Sequence, residues 1–360
     1  MDSVALLCAG GTGGHMFPAE ALAHELVARG WGVRLVTDDR GERFASTFPG
    51  PVDHLTFRPP DTTNKLKALA ALPGSLMQFA SAYREAGRIA RGPDVRVAIG
   101  FGGYPTLAPV LAAKRAGHAT LVHEQNAVLG RANRVLAKRV DAIACGFPLD
   151  GAVATGNPVR PAVLDAAETP YPKPREGEPF DLLVFGGSQG ARFFGDCVPK
   201  AMAAVDETKR GRIRLTLQSR EEDDADARRR LADAGVEAEV SPFFPDMAQR
   251  IARAHLVVAR AGASTVSELA VIGRPAILVP YPHALDHDQA ANAAEMVRSG
   301  GAEIVAERDL SPEGLAAMLS NLMDEPETLE RRAAAMRAVA RPDAAARLAD
   351  LVEKTVGERK

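Results

Sequence analysis

Val4-Ala-Leu-Leu-Cys-Ala-Gly-Gly-Thr-Gly-Gly-His15 and Asp181-Leu-Leu-Val-Phe-Gly-Gly-Ser-Gln-Gly-Ala191 are two runs of one design. Each is a short, unbroken apolar stretch that ends in a cluster of glycines. Such a run without polar alternation is what a strand buried on both faces of a parallel sheet requires. Past the first cluster, Ala19, Leu22, Ala23, Leu26 and Val27 recur at helical spacing, which predicts a helix over 18–29. Pro18 suits a helix start, because the N–H it lacks would have no partner there. A second strand over 33–37 completes a strand–helix–strand unit. Open α/β sheets bind ligands beyond the carboxyl ends of their strands, where these glycine loops lie. The two loops are 176 residues apart (186 − 10), which predicts an α/β chain of two similar doubly wound halves. The glycine spacing is not G-x-G-x-x-G followed by an acidic residue, so a dinucleotide is not the expected ligand.

Composition agrees with two domains. A chain of 360 residues exceeds the size at which a single core stops growing. Hydrophobic residues at 46% and charged residues at 25% are an ordinary globular mix. A net charge of −2 excludes a uniformly basic nucleic-acid binder. Cys8, Cys145 and Cys197 show no C-x-x-C spacing and no even framework, which fits a reducing compartment and no metal site. The amino-terminal apolar run has no basic flank and stops at Gly10, so it reads as a first strand rather than a signal peptide. No apolar run approaches the ~18 residues of a membrane span.

Between the glycine loops, residues 62–139 carry 12 Lys/Arg against 3 Asp/Glu. A local excess of that size suggests an anionic partner surface. Leu66, Leu69, Leu72, Leu76, Met77, Phe79 and Tyr83 recur at helical spacing there, and Pro73-Gly74 is expected to split two short helices. Those apolar residues could equally face the core. A strand over 95–99 ends in Gly100-Phe-Gly-Gly-Tyr104, and one over 120–122 runs into His123-Glu-Gln-Asn126, read as the start of a loop. A short strand over 141–144 precedes Thr155-Gly-Asn-Pro-Val-Arg160. Residues 165–180 hold prolines 170, 172, 174 and 179 and read as an exposed connection.

In the second half, strands are expected over 181–185, 213–217 and 236–240, with a charge-rich helix over 221–230 that reads as a solvated face. Phe243 and Phe244 follow a strand end, where they could cap a base or simply pack. A strand over 255–259 then breaks into Arg260-Ala-Gly-Ala-Ser264, and a helix begins near Ser264. Amides at such a helix start lack partners and the helix dipole is positive there, so an anion fits. Glu268, one turn on, can accept hydrogen bonds from a vicinal diol such as a ribose. After a strand over 276–280, Asp286, Asp288, Gln289 and Asn292 offer hydroxyl-binding groups within seven residues. Anion, diol and polyol features in that order suggest a nucleotide-sugar cradle. An ordinary strand–helix–strand unit with a polar loop is the alternative. A terminal helix is expected over 344–356.

Eight motifs in this order resemble the MurG family, the bacterial UDP-GlcNAc:lipid I N-acetylglucosaminyltransferases that make lipid II for peptidoglycan. They are Gly10-Gly-Thr-Gly-Gly-His15, Gly102-Gly-Tyr104, His123-Glu-Gln-Asn126, Gly156-Asn-Pro-Val-Arg160, Gly186-Gly-Ser-Gln-Gly190, Phe243 with Asp246-Met247, Arg260-Ala-Gly-Ala263 with Glu268, and Asp288-Gln289 with Asn292. Together they span essentially the whole chain. The resemblance implies a GT-B fold: two Rossmann-like doubly wound domains with a cleft between them. Residues 1–158 with a returning helix at 339–360 would take the lipid acceptor, and 159–338 the UDP-sugar. It also implies that Phe243 caps the uracil, the backbone at Phe244 meets its edge, and Glu268 holds the ribose. Ser188, Arg160 and the amides at Ala263 would hold the diphosphate, and Asn126, Gln289 and Asn292 the GlcNAc. Thr12, Gly13, Gly14, Tyr104, Gln189 and Arg260 join the substrate-binding candidates. Where some members have two glutamines in succession this chain has Asp288-Gln289, so Gln289 is the better sugar contact.

The family reaction inverts the anomeric carbon, by in-line attack of the acceptor 4-hydroxyl. His15 is the candidate base, because imidazole titrates near working pH and lies on the first glycine loop. Glu124 is its rival, and a positioning role for His15 stays open. The substrates implied are UDP-GlcNAc and lipid I, with no cofactor and no metal. Docking on the anionic inner-membrane surface from the cytoplasmic side is expected through residues 62–91 and the basic stretch 131–139. Cell-wall synthesis proteins are candidate partners, and nucleic acid is not. A UDP-GlcNAc 2-epimerase or a nucleotide-sugar-binding scaffold at the membrane are the competing readings.

Overall fold

Apolar strands without alternation need helices on both faces, and the chain supplies them in turn. The structure, a computed structural model, describes residues 3–55, 65–187, 192–284 and 288–359, with the side chains of Arg43 and of 65–73 left aside. In order, the elements are β1 (Val4–Cys8), α1 (Gly13–Ala28), β2 (Gly32–Thr37), β3 (Val52–His54), α2 (Lys65–Ala90), β4 (Val95–Gly100), α3 (Leu107–Arg115), β5 (Ala119–Glu124), α4 (Arg131–Leu136), β6 (Ala142–Cys145) and β7 (Val153–Ala154). There follow α5 (Pro161–Ala167), β8 (Phe180–Phe185), α6 (Arg192–Ala204), α7 (Glu207–Arg210), β9 (Ile213–Gln218), α8 (Glu221–Asp233), β10 (Glu237–Ser241), α9 (Met247–Arg253), β11 (Leu256–Ala259) and α10 (Ala263–Ile272). The chain closes with β12 (Ala276–Leu278), α11 (Asp288–Ser299), β13 (Ala302–Ile304), α12 (Pro312–Asp324), α13 (Pro326–Val339) and α14 (Ala344–Gly357). It falls into two compact units, Met1–Arg160 with Pro342–Lys360 and Pro161–Arg341, where the resemblance put the breaks after 158 and before 339.

In the first unit the described strands form one parallel sheet in the order β3-β2-β1-β4-β5-β6-β7. Ala5, Leu7, Leu35, Val97 and Ile99 point to one face, against Leu22 and Leu26 of α1 and Leu348 and Val352 of α14. Their neighbours Leu6, Cys8, Val36, Ala98 and Val122 point to the other, against Ala86 and Ala90 of α2 and Val110 and Ala113 of α3. Two-residue alternation between two apolar faces is why the strands read as unbroken apolar runs. The terminal helix α14 is pinned to this unit by Arg29, which donates to Asp350 (2.6 Å) and Glu353 (3.0 Å), and by Arg359, which donates to Asp141 (2.9 Å).

Three expectations are corrected here. The first helix starts at Gly13, not Pro18, because the glycine loop itself coils into the first turn and leaves Pro18 inside the helix. Residues 65–90 form one helix, not two split at Pro73-Gly74. Proline costs about 3 kcal/mol inside a helix, and the run of Ala and Leu around it, with Ala82, Ala86 and Ala90 buried, outweighs that. Finally, β5 continues through His123 and Glu124, so both are strand residues rather than loop residues. No helix among the described residues is long and apolar enough to cross a membrane.

In the second unit the described strands form a parallel sheet in the order β10-β9-β8-β11-β12-β13. Leu182, Val184, Leu215, Leu217, Val258 and Ile277 pack against Phe194 and Met202 of α6 and Leu315 and Leu319 of α12. Arg274, fully buried, holds this unit together from inside. Its guanidinium donates to the carbonyls of Ala252 (3.0 Å), Ile272 (2.7 Å), Thr169 (3.1 Å) and Pro170 (3.0 Å), so one cation satisfies the ends of α9 and α10 and the proline-rich segment. Burial, with Arg337 nearby, pushes its pKa down to about 10.

Candidate functional site

In each sheet the strand order reverses direction at one place. In the first it is between β1 and β4, in the second between β8 and β11. Loops leaving neighbouring strands there go to opposite faces and open a crevice at the carboxyl ends, the usual ligand position of such sheets. The first glycine loop leaves β1 into one crevice. A Cβ on Gly10 would stand 2.8 Å from Asp38 Oδ1 and 2.9 Å from Pro105, so only glycine fits. Asp38 Oδ1 accepts from the amides of Gly11 (3.0 Å) and Gly41 (3.1 Å) and so holds the loop from outside. Thr12 caps α1 without a side-chain hydrogen bond, and the amides of Gly13 and Gly14 open the helix.

His15 is partly exposed and its Nδ1 lies 3.0 Å from the Gly10 carbonyl. A carbonyl only accepts, so Nδ1 carries a proton, and in the neutral ring the lone pair is on Nε2. From β4 the turn Gly102-Gly103 (φ +95° and +79°) brings bare backbone against this ring; a Cβ on Gly102 would sit 3.2 Å from His15 Nε2. Tyr104 follows, 37% exposed. Arg160, the last residue of this unit, lays its guanidinium 4.1 Å above the Phe17 ring on α1.

Glu124 differs. It is 2% exposed, at the end of β5. Oε1 accepts from the Asn126 amide (3.0 Å) and side chain (3.1 Å), and Oε2 from the Gly130 amide (2.9 Å) and Asn133 Nδ2 (2.8 Å). Four donors converge on its two oxygens, so it clamps the segment 124–133. Asn126 donates its backbone N–H and one side-chain N–H to this carboxylate. Behind it, His123 donates from Nε2 to the Gly156 carbonyl (2.9 Å) and accepts at Nδ1 from Gln125 (3.1 Å). Fully buried, it is neutral, with its pKa pushed down to about 4 by burial. Asn133 was missed in the sequence, though it lies only nine residues from its partner Glu124.

In the second unit the glycine loop leaves β8 with the Gly186 amide donating to Gln218 Oε1 (3.2 Å), while Gln218 Nε2 donates to the Pro242 carbonyl (3.1 Å). Gln218 thus ties this loop to the turn that carries Phe243, and nothing in its strand pattern marked it. Ser188 and Gln189 lie outside the described residues, as does Asp286. Phe243 is 70% exposed, whereas Phe244 is buried with the Arg250 guanidinium 4.2 Å over its ring. Across the switch point, α10 begins at Ala263 after an uncapped Gly262. The Ser264 Oγ is buried there, with no hydrogen-bond partner among the described residues. Glu268 lies one turn further on, 7% exposed.

Two expected ligand contacts turn inward. Arg260 is 6% exposed, paired with Glu307 and bonded to the Val279 carbonyl (3.1 Å). Asn292 is fully buried and donates to the Ala261 carbonyl (3.1 Å). A buried polar group must be satisfied by its surroundings, and these two are satisfied by the loops they hold. Gln289 stands at the start of α11, its Oε1 accepting from the Tyr281 amide (3.0 Å). Asp288 Oδ1 accepts from the Gln289 amide (2.7 Å).

Known proteins resemble the chain over nearly its whole length. Residues 5–145 match the glycosyltransferase family 28 N-terminal domain and residues 181–348 the family 28 C-terminal domain. A protein of Mesorhizobium japonicum named UDP-N-acetylglucosamine–N-acetylmuramyl-(pentapeptide) pyrophosphoryl-undecaprenol N-acetylglucosamine transferase is 55% identical over 99% of this chain and 96% of its own. One of the same name from Rhizobium etli is 52% identical over 99% of this chain and 98% of its own. Among solved structures, Acinetobacter baumannii MurG superposes with a TM-score of 0.79 at 28% identity, covering 98% of this chain and all (100%) of that one.

Proposed function

The chain belongs to glycosyltransferase family 28, and on that premise we propose that it moves GlcNAc from UDP-GlcNAc to the 4-hydroxyl of undecaprenyl-pyrophosphoryl-MurNAc-pentapeptide, lipid I, giving lipid II. Its two parallel-sheet units are those of the GT-B fold. The observation that carries the reading is the start of α10. Amides without intrahelical acceptors, the buried Ser264 hydroxyl and a carboxylate one turn on stand together at a switch point, in a chain 55% identical to a named transferase. That is an anion site beside a diol site, the order a UDP-sugar presents.

In this reading the second unit takes the donor. Phe243 caps the uracil, Glu268 accepts from the ribose hydroxyls, the amides at Ala263 and Ser264 meet the diphosphate, and Gln289 meets the sugar. The first unit takes the acceptor, with the α1 amides at Gly13 and Gly14 near its diphosphate. His15 Nε2 removes the proton of the acceptor hydroxyl as that oxygen bonds to the anomeric carbon. The bond from that carbon to the UDP oxygen breaks on the opposite side, and the configuration inverts. Fixed amide dipoles of α10 stabilise the charge that grows on the leaving UDP. Glu124 holds the 124–133 segment in place.

The acceptor's polyprenyl tail stays in the bilayer, so the protein works peripherally at the cytoplasmic face of the inner membrane. On α2, Leu76 and Met77 are 60% and 72% exposed. Further along α2, a cavity of about 320 Å³ is lined by Tyr83, Arg84, Arg88, Arg91 and, from α3, Arg115, with no carboxylate among its lining residues. Each basic residue near an anionic bilayer contributes about 1 kcal/mol. Charge reversal at Arg84, Arg88 and Arg115 abolishes sedimentation with anionic vesicles and spares turnover of a short-chain acceptor. Unchanged sedimentation at low salt refutes the docking face.

Incubation with UDP-GlcNAc and a lipid I analogue tests the reaction itself. Disaccharide product plus UDP is expected; UDP-ManNAc would indicate an epimerase, and no turnover a binding scaffold.

A further inference from the structure

Arg260 directly follows β11, and its guanidinium is committed on two sides. Nη1 donates to the carbonyls of Val279 (3.1 Å) and Pro280 (3.3 Å), just past β12, and Nη2 donates to the carboxylate of Glu307. Its Cζ lies 5.5 Å from the centre of the Tyr281 ring. A planar guanidinium fixed by a carboxylate at one end is a rigid fork. What the fork holds is the backbone at 279–281. The next amide along, Tyr281 N–H, donates to Gln289 Oε1 at 3.0 Å. A backbone N–H only donates, so the side-chain atom facing it is the oxygen, and the NH₂ of Gln289 is turned the other way.

We infer that Glu307 is a positioning residue for the donor sugar: through Arg260 and the 279–281 backbone it presents Gln289 to the sugar as a hydrogen-bond donor. The inference rests on the proposed reading of Gln289 as a sugar contact. Glu307 itself sits in a single 3-10 turn after β13, its side chain 26% exposed, so it can be changed without opening the core. Arg260 is in the opposite position. Its side chain is 7% exposed, and without the carboxylate it is a buried cation that must find other acceptors or solvent. Either movement releases the carbonyls at 279 and 280 and, with them, the amide that orients Gln289. An ordinary half-exposed ion pair would do none of this, since such a pair contributes little and locally.

Direct binding of UDP-GlcNAc and of UDP, which lacks the sugar, separates the two cases. Glu307→Ala weakens UDP-GlcNAc about 10-fold, Glu307→Gln less because it keeps an acceptor oxygen, and UDP changes by less than about 2-fold in both. In a Gln289→Ala background, adding Glu307→Ala brings no further loss, because the relay then has nothing to orient. Melting curves accompany each variant, and Glu307→Gln carries the test alone if Glu307→Ala does not fold. A loss shared equally by UDP and UDP-GlcNAc, or one that adds in full to Gln289→Ala, overturns the relay. If Gln289→Ala weakens UDP-GlcNAc selectively while both Glu307 variants bind like wild type, the relay alone is wrong. If Gln289→Ala has no selective effect, the sugar-contact reading and the relay fall together.

Discussion

Glu124→Gln distinguishes the two candidate bases, because the structure gives the carboxylate a load that can be counted. Four donors converge on it, two on each oxygen, at 2.8–3.1 Å. A glutamine in the same place turns its NH₂ towards two of those donors, whichever way the amide is flipped. Two charge-assisted bonds are lost, and the other two become neutral. At roughly 1.5–3 kcal/mol for a hydrogen bond to a charged group, the segment 124–133 is destabilised locally by about 3 kcal/mol or more. Since about 1.4 kcal/mol is tenfold, the amides of Asn126 and Gly130, which donate to this carboxylate, should exchange with solvent about 100-fold faster. Acceptor KM should rise with that loosening. The shape of the kcat pH profile should not change, because the proton is taken elsewhere. His15→Gln should do the reverse: near-normal exchange at 124–133, and kcat lower by roughly 10²–10⁴-fold with the acidic limb of the profile lost. The assay is transfer to a soluble short-chain acceptor across pH, with hydrogen exchange on the same samples. If Glu124→Gln loses the acidic limb while Asn126 and Gly130 stay protected, the clamp argument is wrong and Glu124 is the base.

Glu268→Ala should weaken UDP-GlcNAc by roughly 1–3 kcal/mol and leave a 2′,3′-dideoxyribose donor almost untouched; equal losses for both would remove Glu268 from the ribose. Acid stability follows from His123, whose pKa falls from 6.5 to about 4 in the fully buried site. The unfolded chain therefore binds the extra proton first, and stability is lost as pH drops from about 6.5 towards 4, by about 3 kcal/mol in total. Urea titrations of wild type and His123→Gln should converge in slope above that window and diverge within it; parallel curves throughout would count against a buried neutral imidazole. Arg274→Met leaves carbonyls at 169, 170, 252 and 272 without their donor and should cost at least about 3 kcal/mol, read as a shift of the unfolding midpoint. A variant within 1 kcal/mol of wild type would mean those carbonyls find water instead.

The central strands of both sheets and the first glycine loop are legible because their signals are local: an apolar run, then glycines that leave room for a side chain or a ring. Gly10 against Asp38 and Gly102 against His15 are such cases. The short strands β3, β7 and β13 carry no such signal. Local signals also misled. Pro18 reads as a helix start and Pro73 as a break, and in both places the neighbouring residues carry a helix through the proline. Around the candidate sites the limit was different. Residue type and motif position marked Arg260, Asn292 and Glu124 as ligand-facing, but which way a polar side chain turns depends on what neutralises it. For Glu124 the donors lie within nine residues, and two asparagines so soon after a strand-end carboxylate are a readable signal. For Arg260 the decisive group is Glu307, 47 residues away on another strand's exit. No spacing rule connects the two, because they meet only when β11, β12 and β13 lie side by side in the sheet. An arginine at a switch point is equally suited to grip a ligand phosphate or a neighbouring loop, and the sheet order decides between them by supplying, or not supplying, a carboxylate.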